Sequence, residues 1–519
     1  MLTPFAHATL NAADSACLVS LPALELRRLI GARQLSPVEL LQACITRIEA
    51  VNPAINALCE TDFERALAQA RVAEAAVMSG ETLPLLHGLP VGVKDLEDTA
   101  GLRTTYGNVG HRQHVPVADC VLVQRLRAAG ALVAAKTNTP DMGAGANTRN
   151  PVWGATGNPF DPTRNAGGSS GGSAVALACD LLPLASGSDL GGSLRIPAGY
   201  CGVVGLRPSP GVVASGDRLL GFSPLPVLGP MARSVADLAL MLAAIAGPHA
   251  DDPLSLPFDG TALHPLRPAD LSTLRVGYTE DFGGCLVDED IRRTFRARIA
   301  AIAPLFATCE PLGLDLVNRL DGRDGERSSA DFAFDVLRAE GFLAAHAGTD
   351  RRTLGPNIAA NLALAEHFTL ADRAQAQQLQ TRLQRRLAEA MRAERGGFDL
   401  VIAPVTGVSP FPWTTLYAES VQGQATRNYY HWLGLTYVVT LSTHPALSLP
   451  CGVDEQGLPF GLQLIGRAQG DVALLSAALA LESATAGQSG LGRVRPDLAR
   501  LRLPRPELRS IVTHPPLPL

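Results

Sequence analysis

Two serine-bearing glycine clusters, separated by an apolar run, most constrain what this chain can fold into. The first reads Gly167-Gly168-Ser169-Ser170-Gly171-Gly172-Ser173 and the second Ser188-Asp189-Leu190-Gly191-Gly192-Ser193-Leu194-Arg195. Ala174 to Ala185, between them, is apolar enough to be a buried element. Closely spaced glycines permit backbone geometries that other residues resist, and they let a ligand approach the main chain. Leu190-Gly191-Gly192-Ser193 would turn consecutive amides toward a developing oxyanion, often the largest catalytic contribution in acyl transfer, with Ser193 as the nucleophile. A linker would not continue into Leu194-Arg195-Ile196-Pro197 and an apolar run to Leu206. A phosphate cradle lacks its signature, since neither G-x-x-x-x-G-K-[ST] nor G-x-G-x-x-G between strand and helix is present.

A serine nucleophile needs a base. Of 44 basic residues only Lys94 and Lys136 are lysine. Arginine serves wherever a positive charge suffices, but not where the side chain must give up its proton, so both lysines are candidates for that task. Lys94 closes the apolar strand pattern Leu89-Pro90-Val91-Gly92-Val93, where desolvation disfavours the ammonium and makes a base. Lys136 ends a second strand pattern, Ala131 to Lys136, and reads as structural. Eleven histidines keep a Ser-His-Asp triad open, although the sequence does not bring any one of them to Ser193. Gly167 to Gly171 satisfies G-x-S-x-G with Ser169 in the nucleophile position, but polar Asp161 to Asn165 stands where that elbow needs a buried strand. A Ser-Lys arrangement fits better.

The rest of the chain reads as α/β. Ser36-Pro37-Val38-Glu39 starts a helix expected to stop at Asn52-Pro53, and a second runs from Asp62 to Met78. Helical patterns at Val121 to Ala129, Ser234 to Ala246, Asp288 to Ala303 and Ala371 to Glu394 alternate with strand patterns, which points to a layered sheet-and-helix architecture. Residues 1–20 read as an irregular lead-in and residues 321–329 as a solvated charged loop. Nine scattered cysteines without C-x-x-C spacing argue for a reducing compartment and against a zinc site. A net charge of −5 excludes the dense basic face of a nucleic-acid binder. No segment reads as a signal peptide or membrane span, so the expectation is a cytoplasmic protein.

These motifs together resemble the amidase signature family of serine hydrolases. The match comprises Gly88 to Asp95, Gly167 to Ser173, Ser188 to Pro197, Cys201 to Pro208 and Gly457 to Gly466, and it extends from about Leu21 to Leu481. The resemblance implies an α/β fold with a large mixed central sheet surrounded by helices. Residues 1–80 would be a helical segment packed on that core, residues 81–502 the signature domain, and residues 503–519 a proline-rich, loosely ordered tail. It also implies a Ser-Ser-Lys triad, with Lys94 as base, Ser169 as a relay held by a cis peptide bond, and Ser193 as nucleophile. The amides of Leu190, Gly191, Gly192 and Ser193 would form the oxyanion hole. Gly143 and Ser169 would face the acyl part of the substrate. The sequence departs from the family pattern at Ala166, Ser188 and Arg207, none of which carries a proposed reacting atom.

Other residues receive lesser roles. Asp189 and Arg195 would brace the nucleophile loop by an ion pair, and Ser170 and Ser173 would stabilise turns. Tyr429-Tyr430-His431-Trp432-Leu433 reads first as core and second as a wall of the acyl pocket. His444 reads as a structural hydrogen bonder. The expected reaction is hydrolysis of a small linear carboxylic amide, releasing ammonia or an amine, with esters and carbamates sharing the same chemistry. It requires no cofactor or metal, no nucleic acid and no membrane, and a homodimer is the assembly left open. The alternatives are a glutamine-amidase subunit of a tRNA-dependent amidotransferase and a binding protein on an inactive hydrolase fold.

Overall fold

The computed structural model describes residues 17–513. Its organising element is an 11-stranded sheet. In chain order the strands are β1 (Leu58–Thr61), β2 (Pro90–Lys94), β3 (Leu132–Thr137), β4 (Leu184–Asp189), β5 (Val204–Arg207), β6 (Val227–Ala232), β7 (Arg275–Tyr278), β8 (Thr308–Pro311), β9 (Leu400–Pro404), β10 (Ala446–Val453) and β11 (Pro459–Ile465). They lie side by side as β1-β3-β2-β4-β6-β5-β10-β11-β9-β7-β8. β2 runs parallel to both β3 and β4, whereas β4, β6, β5, β10, β11 and β9 follow one another antiparallel. The sheet is therefore mixed and carries helices, as expected for α/β.

Burial explains the composition of the central strands. All five residues of β2 and all six of β3 are buried, which is why they read as near-continuous apolar runs instead of alternating. The run from Ala174 to Ala185 divides into the end of the helix Gly171–Ala178, entirely buried, and the start of β4. Gly172 permits that helix to sit against the chain: a Cβ there would lie 2.2 Å from the Asn138 amide nitrogen and 2.5 Å from the Ala57 carbonyl.

Several local expectations change. The first helix after the Ser36 cap does not stop at Asn52-Pro53 but runs Pro37–Ile55. The Asn52 side chain accepts from Ala57 and Leu58 and donates to the Leu58 carbonyl, which organises the exit one turn later. The segment before residue 81 is not helical throughout, because it contributes β1 to the sheet edge, paired antiparallel with β3. The charged loop ends at Ser329, whose hydroxyl caps the helix Ala330–His346. Residues 503–513 include a short turn, Pro506–Arg509, that buries Leu508 against Ala155 and Trp413. The lead-in at residues 1–16 and the tail at 514–519 lie outside the described residues. No helix among the described residues is long and apolar enough to cross a membrane.

Gly172→Ala should destabilise the fold by about 1–3 kcal/mol or more, because the colliding atoms are backbone and cannot turn aside. Denaturant unfolding checks this, and an unchanged midpoint would contradict the packing described.

Candidate active site

The two parallel neighbours β2 and β4 end at the same edge of the sheet, at Lys94 and Asp189. Crevices outside the carboxyl ends of strands are where α/β folds bind ligands. The first glycine cluster delivers Ser169 there, just before the helix Gly171–Ala178, and the second delivers Ser193 just before the helix Arg195–Cys201. The Ser170 amide donates to the Ser193 carbonyl at 3.2 Å, tying the clusters together. The peptide bond Gly168–Ser169 is cis.

Lys94 is fully buried, and its Nζ lies 2.7 Å from Ser169 Oγ and 2.9 Å from Ser188 Oγ. Burial pulls its pKa down to about 8, against the opposing pull of the Glu97 and Asp189 charges. Ser169 is nearly buried, while Ser193 is partly exposed. Both serines line a cavity of about 180 Å³ with Leu96, Gly143, Leu190 and Gly191. No histidine among the described residues lines it, which leaves the Ser-His-Asp alternative without a base there. Gly143 has φ +70°, and a Cβ on it would stand 2.8 Å from Leu96 Cδ1 and 3.6 Å from the Ser169 hydroxyl oxygen.

The nucleophile loop is built around the Asp189 carboxylate. It accepts from the Gly192 amide at 2.9 Å and the Leu194 amide at 3.1 Å, and from Arg195 Nε at 3.0 Å and Nη2 at 2.9 Å. Burial alone would raise this carboxyl, but the guanidiniums of Arg195 and Arg207 hold it well below the usual carboxylate range. Arg195 continues to the Thr436 carbonyl, Gln463 and Thr440, and Arg207 to the carbonyls of Asp189 and Leu225. Thr436 Oγ1 donates to the Gly191 carbonyl at 2.6 Å. The Gly192 amide is thus engaged, whereas those of Leu190, Gly191 and Ser193 have no acceptor among the described residues.

The expected brace between Asp189 and Arg195 is present, but Arg207, Thr436 and Gln463 complete it; Arg207 and Gln463 lie inside matched motifs that assign them no role, and Thr436 lies in none. In the sequence Arg207 stands out only as a departure from pattern. Lys136 lies outside this cavity: its Nζ donates to the Glu97 carbonyl and, at 3.0 Å, to Thr99, fixing the turn that follows Lys94. Ser170 and Ser173 bond the carbonyls of Ser188 and Ser186. Buried His444 bonds the Ser442 carbonyl, and burial lowers its pKa to about 4. Of the aromatic segment, Tyr429 and Leu433 line the cavity while Trp432 packs in the core against Phe411. Glu97 likewise gives no signal in the sequence. It is buried, its carboxylate accepts no hydrogen bond from the described residues, and burial raises its pKa to about 7.

The amidase family's sequence profile matches residues 39–475. The chain belongs to the amidase signature family. A glutamyl-tRNA(Gln) amidotransferase subunit from Picosynechococcus is 34% identical over 88% of this chain and 96% of its own length. An acylamidase of Rhodococcus erythropolis is 32% identical, over 89% and 95% respectively. Among solved structures, a bacterial aryl acylamidase of the amidase signature family superposes with a TM-score of 0.78 at 26% identity, covering 95% of this chain and 98% of that one. The family fold is the mixed α/β sheet described above, and this amidase is accordingly a hydrolase by family.

Asp189→Asn should cost the amidase about 3–5 kcal/mol, since it leaves Arg195 and Arg207 buried without a counter-charge. Chemical denaturation measures it, and a loss within experimental error would contradict the central role of the carboxylate.

Proposed function

We propose that this amidase cleaves a carboxylic amide through Lys94, Ser169 and Ser193, with an acyl-Ser193 intermediate. The observation that carries the reading is the 2.7 Å contact between buried Lys94 Nζ and Ser169 Oγ, at the wall of the cavity that exposes Ser193. With Lys94 neutral, its lone pair accepts the Ser169 proton while an N–H is donated to Ser188. Ser169 in turn accepts the proton of Ser193 as Ser193 Oγ attacks the carbonyl carbon. Collapse of the tetrahedral adduct breaks the C–N bond, and the relay returns the proton to the leaving amine or ammonia. Water then attacks the ester on Ser193 by the same route.

The unengaged amides of Leu190, Gly191 and Ser193 are the oxyanion donors in this mechanism. Gly192 contributes differently from the expectation. Its amide is held by Asp189 and its φ of +125° brings the backbone against Thr436, where a Cβ would lie 2.4 Å from Oγ1. It shapes the loop that aims the other three. Gly143 leaves room beside Ser169 for the acyl group.

The likeness to an amidotransferase component supports a second reading, in which the same site releases ammonia from glutamine for a partner protein. The purified chain assayed on plain amides, esters, carbamates and glutamine separates the two. Activity confined to glutamine and dependent on a partner would favour the second.

Lys94→Met and Lys94→Arg should each lower kcat/KM by at least about 10²–10⁴-fold, because neither side chain supplies a proton acceptor. In the wild type, Lys94 is protonated and inactive below its pKa, so kcat/KM should rise with pH and level off above about 8. A flat profile through that range, or full activity in Ser193→Ala, would overturn the mechanism.

A further inference from the structure

The cavity above Ser193 contains a positive charge that the proposed triad does not use. Four arginines are buried among the described residues: Arg195, Arg207, Arg233 and Arg338. The first three each reach a carboxylate, Asp189 for two of them and Asp180 for Arg233. Arg338, on the helix Ala330–His346, has no acidic partner among the described residues, yet it is 7% exposed and lines the cavity beside Ser193 and Gly143. Its Nε and Nη2 donate only to the Tyr429 hydroxyl, at 3.2 and 2.5 Å. Four rings, Phe334, Phe342, Tyr429 and Tyr430, stand 4.8 to 5.8 Å from the guanidinium carbon. Ring faces offset part of the desolvation cost, but Nη1 keeps its protons without an acceptor among the described residues.

Tyr429 adds a second donor. Its oxygen accepts from Arg338 and, at 2.5 Å, from Asn361 Nδ2. The Asn361 amide cannot be reversed to accept instead, because the same Nδ2 donates to the Asn357 carbonyl at 2.8 Å. The phenol proton therefore has no acceptor among the described residues. A guanidinium N–H and a phenol O–H on two side chains that line one cavity, neither with an acceptor among the described residues, make the donor set that matches a carboxylate. The adjoining cleft, of about 600 Å³, carries Glu97, Asp98 and Asp217 against one arginine, Arg218, which is itself paired with Asp252, so an anionic group is favoured at Arg338 over the cleft.

We propose that Arg338 and Tyr429 form a subsite for an acid group on the acyl half of the substrate. The preferred substrates are then monoamides of short dicarboxylic acids, their free carboxylate seated at Arg338 and their amide carbonyl above Ser193. This inference rests on the amidohydrolase reading of Ser193.

The test compares malonamate, succinamate and glutaramate with their uncharged counterparts of equal length, both as substrates of the wild type and as ligands of Ser193→Ala by calorimetry. At least one anion should bind Ser193→Ala about 10- to 100-fold more tightly than its neutral counterpart, the range expected for hydrogen bonds to a charged group. Arg338→Met should abolish that preference, and Tyr429→Phe, a milder change that guards against misfolding of the first variant, should reduce it. Hydrolysis of neutral amides at least as efficient as that of every anion, or a preference that survives Arg338→Met, would overturn the subsite and leave the amidohydrolase reading intact. Arg338-dependent binding of an anion by a chain that hydrolyses none of the amides would uphold the subsite and count against that reading.

Discussion

The cost of burying one ammonium group governs the site. At the end of β2, Lys94 is removed from water and given serine hydroxyls as neighbours in place of a carboxylate ion pair. Two hydroxyls replace only part of the hydration that the charge loses, and the neutral form becomes accessible near pH 8. The Glu97 and Asp189 charges limit the shift without cancelling it. An arginine in the same place would stay charged, which accounts for a lysine surviving here in a chain that elsewhere uses arginine almost throughout.

A base so placed is useful only if the serine loops are rigid, and a second buried charge provides that. Asp189 is acceptor for two loop amides and two arginines, and through Arg195 and Thr436 it connects the nucleophile loop to the helix Gly434–Ser442 and to β11. Here charge is fully compensated, in contrast to Lys94, and the carboxylate stays ionised. The same strand edge thus holds one group whose charge is destabilised for proton transfer and another whose charge is stabilised for architecture. Arg338 stands between these cases, buried like Asp189 but without a counter-ion among the described residues.

Much of this is legible in the sequence because the informative residues are contiguous. The glycine-serine clusters announce tight loops, an apolar strand pattern ending in a rare lysine announces a desolvated base, and the S-P-x-E start announces a helix cap. What is not legible depends on residues distant in sequence. Arg207 and Gln463 lie in matched motifs and Tyr429 in an aromatic cluster that do not say what these side chains bond, Thr436 has no local signature, and all four reach the site only because β5, β11 and the segment from Tyr429 to Ser442 fold against it. The Gly192 amide looks equivalent to its neighbours as a donor, and only the position of the Asp189 side chain distinguishes it. Pro53 suggests a helix end, but the Asn52 side chain and the contacts of the following turn override it.

The proposed mechanism requires Lys94 to titrate far below an ordinary lysine in the folded protein. With only two lysines in the chain, selective ¹³C labelling at Cε yields a spectrum of two signals, and Lys94→Met assigns the one that matters. A titration midpoint near pH 8 for that signal is the predicted result. A Lys94 that stays protonated up to the ordinary lysine range, about 10.4, would contradict that mechanism.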